Sequence, residues 1–197
     1  MNTSLTTLFS KTERTYTGPE LRPHFLLTEL KLEGSGIGAF IGPCRVETAH
    51  LVDWEDRLAN DRIEAKKMVH FIGEFFGASL REGVLIQRLF MANAFDTLRE
   101  RLEASGKFGV LRRDGDDLFV RGEKGERKLS VSIVTASPVS QLLHAGINID
   151  PTGAPVPAVG LAELGVDPTE WVPALLERFA KEWKGMEWAC VKVRPVV

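Results

Sequence analysis

The spacing of apolar residues in the first half of the chain predicts a hairpin, a helix and a strand, in that order. Apolar and polar residues alternate over 25–32, and an apolar run at 37–41 follows a glycine-rich turn, so a β-hairpin is expected there. Asp53 is a suitable helix N-cap, and apolar residues at helical spacing follow it as far as Gly77. The segment 84–91 is apolar at successive positions, which predicts a strand buried on both faces.

The second half of the chain predicts short strands between two helices. A helix capped by Asn93 and ended by Gly106 comes first, and a helix opened by Asp167 and Pro168 comes last. The strands between them are predicted over 108–111, 118–120, 129–133 and 139–149, with the first two joined at Asp114-Gly115. A rigid loop follows at 151–157, and 191–193 is predicted to end the chain as an edge strand.

This order of elements predicts the α+β class, with helices packed on one face of a mixed, mostly antiparallel sheet. A chain of 197 residues corresponds to about one domain, so a single domain over 1–197 is expected. The first eight residues carry no periodic pattern, and we expect them to be flexible.

Composition and charge narrow the class of protein further. Lys plus Arg number 25 and Asp plus Glu number 27, and 25 − 27 = −2, a balance that disfavours binding to nucleic acid by bulk charge. Only Cys44 and Cys190 carry thiols, which excludes a disulfide framework or a thiol-rich zinc site. No apolar run reaches the roughly 18 residues of a membrane helix. With a polar N-terminus that lacks a signal-peptide pattern, the chain is expected to be cytoplasmic and not bound to a membrane.

Three polar residues on predicted strands are candidates for a binding site. Lys128 opens a strand and could grip a phosphate or carboxylate, or it could be an exposed lysine of a charged turn. His144 lies in mid-strand and could contact a ligand oxygen, or it could be a core histidine bonded to a backbone carbonyl. Arg88 lies in an apolar segment, where it must pair with an internal carboxylate or reach a ligand, and Gln87 would point to the opposite face.

A second polar group surrounds the start of the predicted helix at Asp53. His50 and Asp53 are candidate ligands for Mg²⁺, with Glu55 and Asp56 close by in sequence. The alternative is that Asp53 caps the helix and its acidic neighbours complement the helix dipole. Arg45 precedes this group and could help to bind an anion. We find no phosphate-binding glycine loop and no serine nucleophile motif.

Four short motifs follow one another between Asp96 and Asp150. They are a helix ended by Gly106, a hairpin at 113–117, a strand opened by Lys128, and the sequence Gly146-Ile147-Asn148. This order resembles the core of the biotin and lipoate protein ligases, a branch of the class II aminoacyl-tRNA synthetase-like fold. Over nearly its full length, the chain resembles the DUF366 family, whose members are thought to share that fold.

The resemblance implies roles for individual residues. Lys128 corresponds to the lysine with which the ligases contact an adenylate, and Asp117 corresponds to the second residue of their Asn-Asp motif. Gly146 and Asn148 match the Gly-Ile-Asn motif, and the implied cofactors are ATP and Mg²⁺. The chain departs from the ligases where they carry an arginine- and glycine-rich loop, because its own glycine cluster at 34–42 is followed by Arg45 alone.

Three functional hypotheses follow. The first is a pocket floored by the sheet, closed by the loop around Arg45, which binds a small carboxylate or nucleotide-like ligand and supports adenylyl or acyl transfer. Its predicted side chains are Lys128, Arg88, His144 and Asn148, with Asp117 orienting the lysine or a metal. The second is a non-catalytic binding module that has lost the ATP loop. The third is an RNA- or tRNA-linked protein, and its basic patch is Arg112, Arg113, Arg121, Lys124, Arg127 and Lys128. A homodimer paired through an edge at 191–197 is also expected.

Overall fold

The computed structural model describes residues 4–122 and 125–196, which form two sheets and five helices within these ranges. The strands are β1 Thr6–Phe9, β2 Gly36–Val46, β3 Ile63–Phe76, β4 Leu111–Asp114, β5 Asp117–Gly122, β6 Gly125–Lys128, β7 Ser130–Ala136 and β8 Ser140–Asp150. The helices are α1 Phe25–Leu30, α2 Trp54–Leu58, α3 Leu80–Ala104, α4 Leu161–Leu164 and α5 Pro168–Val191. A 3₁₀ turn spans Thr48–His50.

The two sheets meet at the start of β7. The larger sheet has the order β1-β2-β3-β8-β7, and the smaller has the order β4-β5-β6. All pairs are antiparallel except β1 with β2, so the predicted α+β class with a mostly antiparallel sheet is confirmed. The amide of Leu118 on β5 donates to Ser130 Oγ at 2.8 Å, and the amide of Leu129 donates to the Leu118 carbonyl at 2.8 Å. These bonds fix the small sheet beside the edge of the large one.

The main hydrophobic core lies between one face of the large sheet and the helices α3 and α5. Phe71 of β3 packs edge-on against Phe90 of α3 and Trp171 of α5. The Trp171 indole N–H donates to Thr97 Oγ1 at 3.0 Å, which ties the two helices together inside the core. The predicted helix after Asp167 and Pro168 is therefore confirmed as the element that completes this layer.

The opposite face of the large sheet is covered only in part. The short helix α1 packs Phe25, Leu26 and Leu30 over β2 and β3, where they contact Phe40 and Ile72 in a second, smaller core. Helices therefore lie on both faces, although the two long ones share a face as expected. Beyond α1, the surface of β8 and β7 on this side is left open, and the candidate site lies there.

Two predicted elements in the first half of the chain are wrong. Residues 25–32 were expected to form a strand, but they contain α1, which ends where Lys31 adopts a left-handed conformation with φ of 58°. The helix expected from Asp53 to Gly77 ends after five residues, and Ile63–Phe76 forms the long strand β3 instead. Because β3 is buried on both faces over most of its length, its apolar residues do not alternate with polar ones, and their spacing also fits a helical stripe.

The strand predicted over 84–91 is also wrong, because these residues lie within α3. This helix begins earlier than expected, at a capping box in which Ser79 Oγ accepts from the Glu82 amide at 3.3 Å and the Glu82 carboxylate accepts from the Ser79 amide at 2.6 Å. The Ser-x-x-Glu spacing is a sequence signal for a helix start. Asn93 is therefore an interior residue of α3 and not its cap.

The two ends of the chain also differ from expectation. Thr6–Phe9 pairs with β2 and is not frayed, while residues 1–3 of the predicted flexible segment lie outside the described residues. Val191 is the last residue of α5, and 192–196 form no strand, so the predicted edge for a homodimer is absent from the described residues. Val197 lies outside them.

In the described part of the chain, no helix is long and apolar enough to cross a membrane. The single domain and the homodimer stay predictions.

Candidate functional site

A cavity of about 370 Å³ lies on the part of the large sheet that α1 leaves open. Its floor is formed by β3, β8 and β7, and its walls come from the residues around α2, from the turn before β5 and from the loop after β8. Five of the residues predicted from the sequence as candidates for ligand or metal binding line it: Asp53, Asp117, Lys128, His144 and Asn148.

Lys128 and Asp117 form an ion pair on the cavity wall. Lys128 is the last residue of β6, so the prediction that it opens a strand is wrong. Its backbone amide donates to the Pro157 carbonyl at 2.9 Å, and the Val159 amide donates to the Lys128 carbonyl at 3.1 Å. The Lys128 Nζ lies 2.9 Å from Asp117 Oδ2, and the two side chains are 32% and 29% exposed. Burial raises the pKa of Asp117, and the hydrogen bond from Lys128 opposes that shift.

The Gly-Ile-Asn motif lies at the floor of the cavity. The Asn148 Nδ2 donates to the Lys128 carbonyl at 3.3 Å, so this side chain supports the strand end that carries the lysine. Gly146 does not line the cavity itself. A Cβ at Gly146 would lie 2.7 Å from Met68 Cε and 3.0 Å from Val131 Cγ2, so the glycine allows these two lining side chains to pack together.

His144 belongs to a buried chain of hydrogen bonds that the sequence did not predict. Its Nε2 lies 3.2 Å from Nδ1 of His70 on β3, and the His70 Nε2 lies 3.3 Å from the Gly42 carbonyl oxygen on β2. The Tyr16 ring stacks on the His144 ring, with centroids 3.8 Å apart. His144 is therefore buried, as the core alternative predicts, but it bonds to His70 and not to a backbone carbonyl. It also lines the cavity, and its contact with a ligand stays a prediction.

The chain of bonds determines the tautomers of both histidines. A carbonyl oxygen can only accept, so the proton of His70 must be on Nε2, and its Nδ1 must then accept from the Nε2–H of His144. This assignment leaves His144 Nδ1 without a proton. Burial lowers the pKa of His70 to about 4 and lowers the pKa of His144 well below its usual value, so both rings are neutral at pH 7.

Arg88 and Gln87 both reach Asp116, because they lie on α3 and not on a strand. The Arg88 NH2 lies 3.1 Å from Asp116 Oδ1, and the Gln87 Nε2 donates to Asp116 Oδ2 at 2.8 Å. The Ser132 hydroxyl donates to the same oxygen at 2.8 Å. The expectation that Gln87 and Arg88 point to opposite faces is therefore wrong. Arg88 does not line the cavity, but it holds Asp116, which does.

The remaining predicted residues do not gather at one place. Arg45 lies on β2 and not on a loop, and its exposed side chain does not line the cavity, so the prediction that a loop around Arg45 closes the site is wrong. Asp53 caps α2 by accepting from the Glu55 amide at 2.7 Å and the Asp56 amide at 3.4 Å, which confirms the capping alternative. His50 is exposed and lies over Gly18.

The described residues do not fit a resident metal ion. Among the described residues, no group of three or more His, Cys, Asp or Glu side chains is arranged to hold one. The Asp53 carboxylate caps α2, and His50 does not line the cavity.

The cavity lining carries more negative than positive charge. Six carboxylates line it, and the two cations are Arg62 and Lys128. The carboxylates are Asp53, Asp56, Asp61, Glu64, Asp116 and Asp117. Burial raises the pKa of Asp56, and the neighbouring carboxylates of Asp53 and Asp61 raise it further, while Lys128 opposes the shift.

The fold is that of the biotin protein ligases. Superposition on the biotin protein ligase of Aquifex aeolicus in complex with biotin and ATP gives a TM-score of 0.51 at 16% identity, over 92% of this chain and 70% of the ligase. The biotin protein ligase of Leishmania major in complex with biotinyl-5-AMP gives a TM-score of 0.56 at 10% identity, over 98% of this chain and 85% of the ligase. At these identities the likeness is one of fold.

Two other proteins are more similar to this chain in sequence. A protein of unknown function from Pyrococcus horikoshi is 33% identical, with a TM-score of 0.87, over 98% of this chain and 100% of its own. An uncharacterised protein of Methanocaldococcus jannaschii is 29% identical over 96% of this chain and 85% of its own length. The model of the DUF366 family, a domain of unknown function, matches residues 5–194. The chain therefore belongs to the DUF366 family, and the predicted resemblance is confirmed.

Proposed function

We propose that this protein binds a small organic molecule in the cavity over β8 and β7, with a carboxylate or similar anionic group of the ligand at Lys128. The observation that carries the proposal is the convergence of Asp117, Lys128, His144 and Asn148 on one cavity. These residues come from three different strands, and a mixture of apolar floor and a few polar groups is typical of ligand sites.

The position of Lys128 supports its role as the anion contact. Its backbone is fixed on both sides by the bonds to Pro157 and Val159, so the side chain leaves the wall from a rigid base. The Lys128 side chain lines the cavity and is about one-third exposed, and Asp117 at 2.9 Å orients its ammonium group. A carboxylate that approaches Lys128 would form a charge-assisted hydrogen bond without first moving the strand.

The charge of the lining favours binding without ATP. A triphosphate in this cavity would lie among six carboxylates and only two cations. Because like charges repel strongly in a partly desolvated site, this lining does not fit a triphosphate. The absence from the sequence of an arginine- and glycine-rich loop agrees with this argument. The non-catalytic binding module is thus the better supported of the two ligand-binding hypotheses.

A thermal-shift screen tests the proposal. The protein is heated with biotin, lipoate, octanoate, AMP or Mg²⁺-ATP, and a ligand at about 100 times its dissociation constant adds roughly 2.7 kcal/mol to the free energy of unfolding. That corresponds to a rise in Tm of about 5 to 10 °C for a chain of this length. Lys128→Ala should remove the shift, and the control Lys66→Ala should keep it, because Lys66 pairs with Asp150 outside the cavity. A shift that survives Lys128→Ala contradicts the proposed contact.

Adenylyl transfer is the second candidate, and the fold shared with ligases that hold biotin and ATP or biotinyl-5-AMP favours it. In such a reaction a ligand carboxylate attacks the α-phosphorus of ATP and pyrophosphate leaves, with Lys128 stabilising the charge. The test is exchange of labelled pyrophosphate into ATP in the presence of each acid of the screen. Exchange that Lys128→Ala abolishes supports a transferase, and binding without exchange supports the module.

A further inference from the structure

The second half of α5 carries exposed side chains on the face that points away from the core. The last buried residue of this helix is Phe179. At about 100° per residue, five exposed residues between 181 and 192 lie within one sector of about 100° on the opposite side of the helix. We call them the α5 stripe: Lys181, Lys184, Trp188, Val191 and Lys192. Trp188 and Val191 are 63% and 72% exposed, so little of the stripe packs against the described chain.

The positive charge of the α5 stripe is not neutralised by the described residues. Arg178 is the last residue of α5 that forms an ion pair among them. Glu177 lies on the same face of the helix, but one turn before Lys181, and Glu182 and Glu187 lie outside the sector of the stripe. Three unpaired lysines therefore surround an exposed tryptophan and an exposed valine.

The residues that follow α5 have the same character. Val193 and Val196 are 66% and 95% exposed, and Arg194 adds a fourth exposed cation. The segment 188–196 contains no Asp or Glu. Exposed apolar side chains among unpaired cations are typical of a surface that binds a partner both apolar and anionic.

We infer that the α5 stripe binds the surface of an anionic lipid bilayer. Headgroup phosphates would pair with the lysines and with Arg194. The Trp188 ring and the valines would enter the boundary between headgroups and acyl chains, where the indole ring has an apolar environment and its N–H stays near polar groups.

Two other partners fit the α5 stripe less well. Valine side chains do not stack on bases, so a single-stranded RNA would use only Trp188 and the charges. A second copy of this chain in a two-fold contact would bring the lysines of two stripes together, and facing like charges disfavour association. An anionic bilayer uses both the cations and the aliphatic side chains.

The expectation of a chain not bound to a membrane rested on the length of its apolar runs. That criterion detects spanning helices, whereas contact with a membrane surface needs only a few apolar residues beside cations. The inference is independent of the proposed ligand site, because no residue of the α5 stripe lines the cavity.

Co-sedimentation of the full chain with lipid vesicles tests the charge of the stripe. At about 0.1 M salt we expect the protein to sediment with phosphatidylglycerol vesicles and not with phosphatidylcholine vesicles, and about 0.5 M salt should weaken the binding. The double substitution Lys184→Gln and Lys192→Gln should weaken it at least about tenfold. The control Lys31→Gln with Lys67→Gln removes two exposed lysines elsewhere and should change it less than about twofold.

Tryptophan fluorescence tests the apolar part of the stripe. Lipids brominated on the acyl chains quench a tryptophan that enters the bilayer. The quenching should disappear in Trp188→Phe and persist in Trp54→Phe, a matched control whose tryptophan is 70% exposed on α2. All the substituted side chains are exposed, and a thermal melt of each variant verifies that it is folded.

Three results would overturn the inference. The first is a protein that stays in the supernatant with phosphatidylglycerol vesicles, and the second is quenching that survives Trp188→Phe. The third is a dimer, or retention of poly(U), that Trp188→Ala abolishes in a protein that does not bind vesicles. A negative ligand screen would contradict the proposed function and leave this inference standing, because the cavity and the α5 stripe share no residue.

Discussion

The two buried histidines are the residues whose chemistry depends most on the tertiary structure. His70 and His144 lie on neighbouring strands in register, with His70 opposite Gly146 and His144 opposite Ile72. His70 uses one nitrogen as donor and the other as acceptor, so its bonds to His144 and to the Gly42 carbonyl require the His70 ring to be neutral. Burial lowers the pKa of His144, so that ring is neutral as well. Protonation of either ring places an uncompensated charge in the interior.

Stability should therefore fall as pH falls below the usual histidine pKa. The pKa of His70 is lowered by burial from 6.5 to about 4, and that of His144 is lowered well below 6.5. Between these values the unfolded chain binds more protons than the folded one, so the free energy of unfolding decreases as pH drops. His70 alone accounts for about 3 kcal/mol of this loss by pH 4. Urea denaturation at a series of pH values from 7.5 to 4.5 measures how the free energy of unfolding depends on pH.

Two variants assign the effect to the buried pair. His50→Gln removes an exposed histidine and should leave the dependence of stability on pH unchanged. His70→Gln should flatten it between pH 6.5 and 5, whatever the variant costs in absolute stability. A wild-type protein whose stability is constant from pH 7 to 5 would contradict the neutral pair.

At the scale of elements, α3 connects the main core to the cavity wall. Gln87 and Arg88 extend from this helix to Asp116 in the turn between β4 and β5. The Gln87 amide is buried and bonded to Asp116 and Ser132, while the Arg88 side chain is about half-exposed. The turn that carries the cavity carboxylates is therefore positioned by a helix on the other side of the sheet.

We expect the neutral glutamine to matter more for stability than the charged arginine beside it. Gln87→Ala removes a buried side chain and its two hydrogen bonds, to Asp116 and Ser132, and should cost about 1 to 3 kcal/mol. Arg88→Ala breaks a partly exposed ion pair and should cost less than about 1 kcal/mol. Chemical denaturation of both variants compares them directly. A larger loss for Arg88→Ala would contradict this account of the helix.

The elements that sequence spacing predicted correctly are those with local signals. The Asp114-Gly115 turn marks the hairpin of β4 and β5, and Asp167 with Pro168 marks the start of α5. The longest errors fall at β3 and at the first half of α3. Both segments are rich in apolar residues, and whether these pack as a stripe or on two faces depends on neighbours that lie far away in sequence.

At the scale of the whole molecule, three of the four arginines of the predicted basic patch are held by carboxylates, and the fourth, Arg113, donates to the Gly115 carbonyl at 2.6 Å. Arg112 Nε and Arg121 Nε lie 2.7 Å and 3.3 Å from the same Glu126 oxygen. The Arg127 NH1 donates to Glu163 Oε2 at 2.8 Å. Paired cations offer little uncompensated charge to a phosphate backbone, and this disfavours the RNA-linked hypothesis.

The wild-type protein should accordingly not retain poly(U) RNA at physiological salt in a filter-binding assay. Glu126→Gln removes the carboxylate that Arg112 and Arg121 share, and it should raise retention at low salt. Glu182→Gln, which changes the net charge equally on another surface, is the matched control. Tight, salt-sensitive retention of RNA by the wild-type protein would favour the RNA-linked hypothesis over the two ligand-binding hypotheses.

The sequence alone was enough to predict the α+β class, the family, the strands that became β5, β7 and β8, and Lys128, Asp117 and Asn148 as candidates for one site. These follow from local turn chemistry, periodicity and short motifs, which are properties of neighbouring residues. Only the tertiary structure decided that β3 is a strand, that Arg88 serves Asp116, and that His70 fixes the tautomer of His144. Each of these depends on contacts between residues that are distant in the chain, and the folded packing alone brings them together.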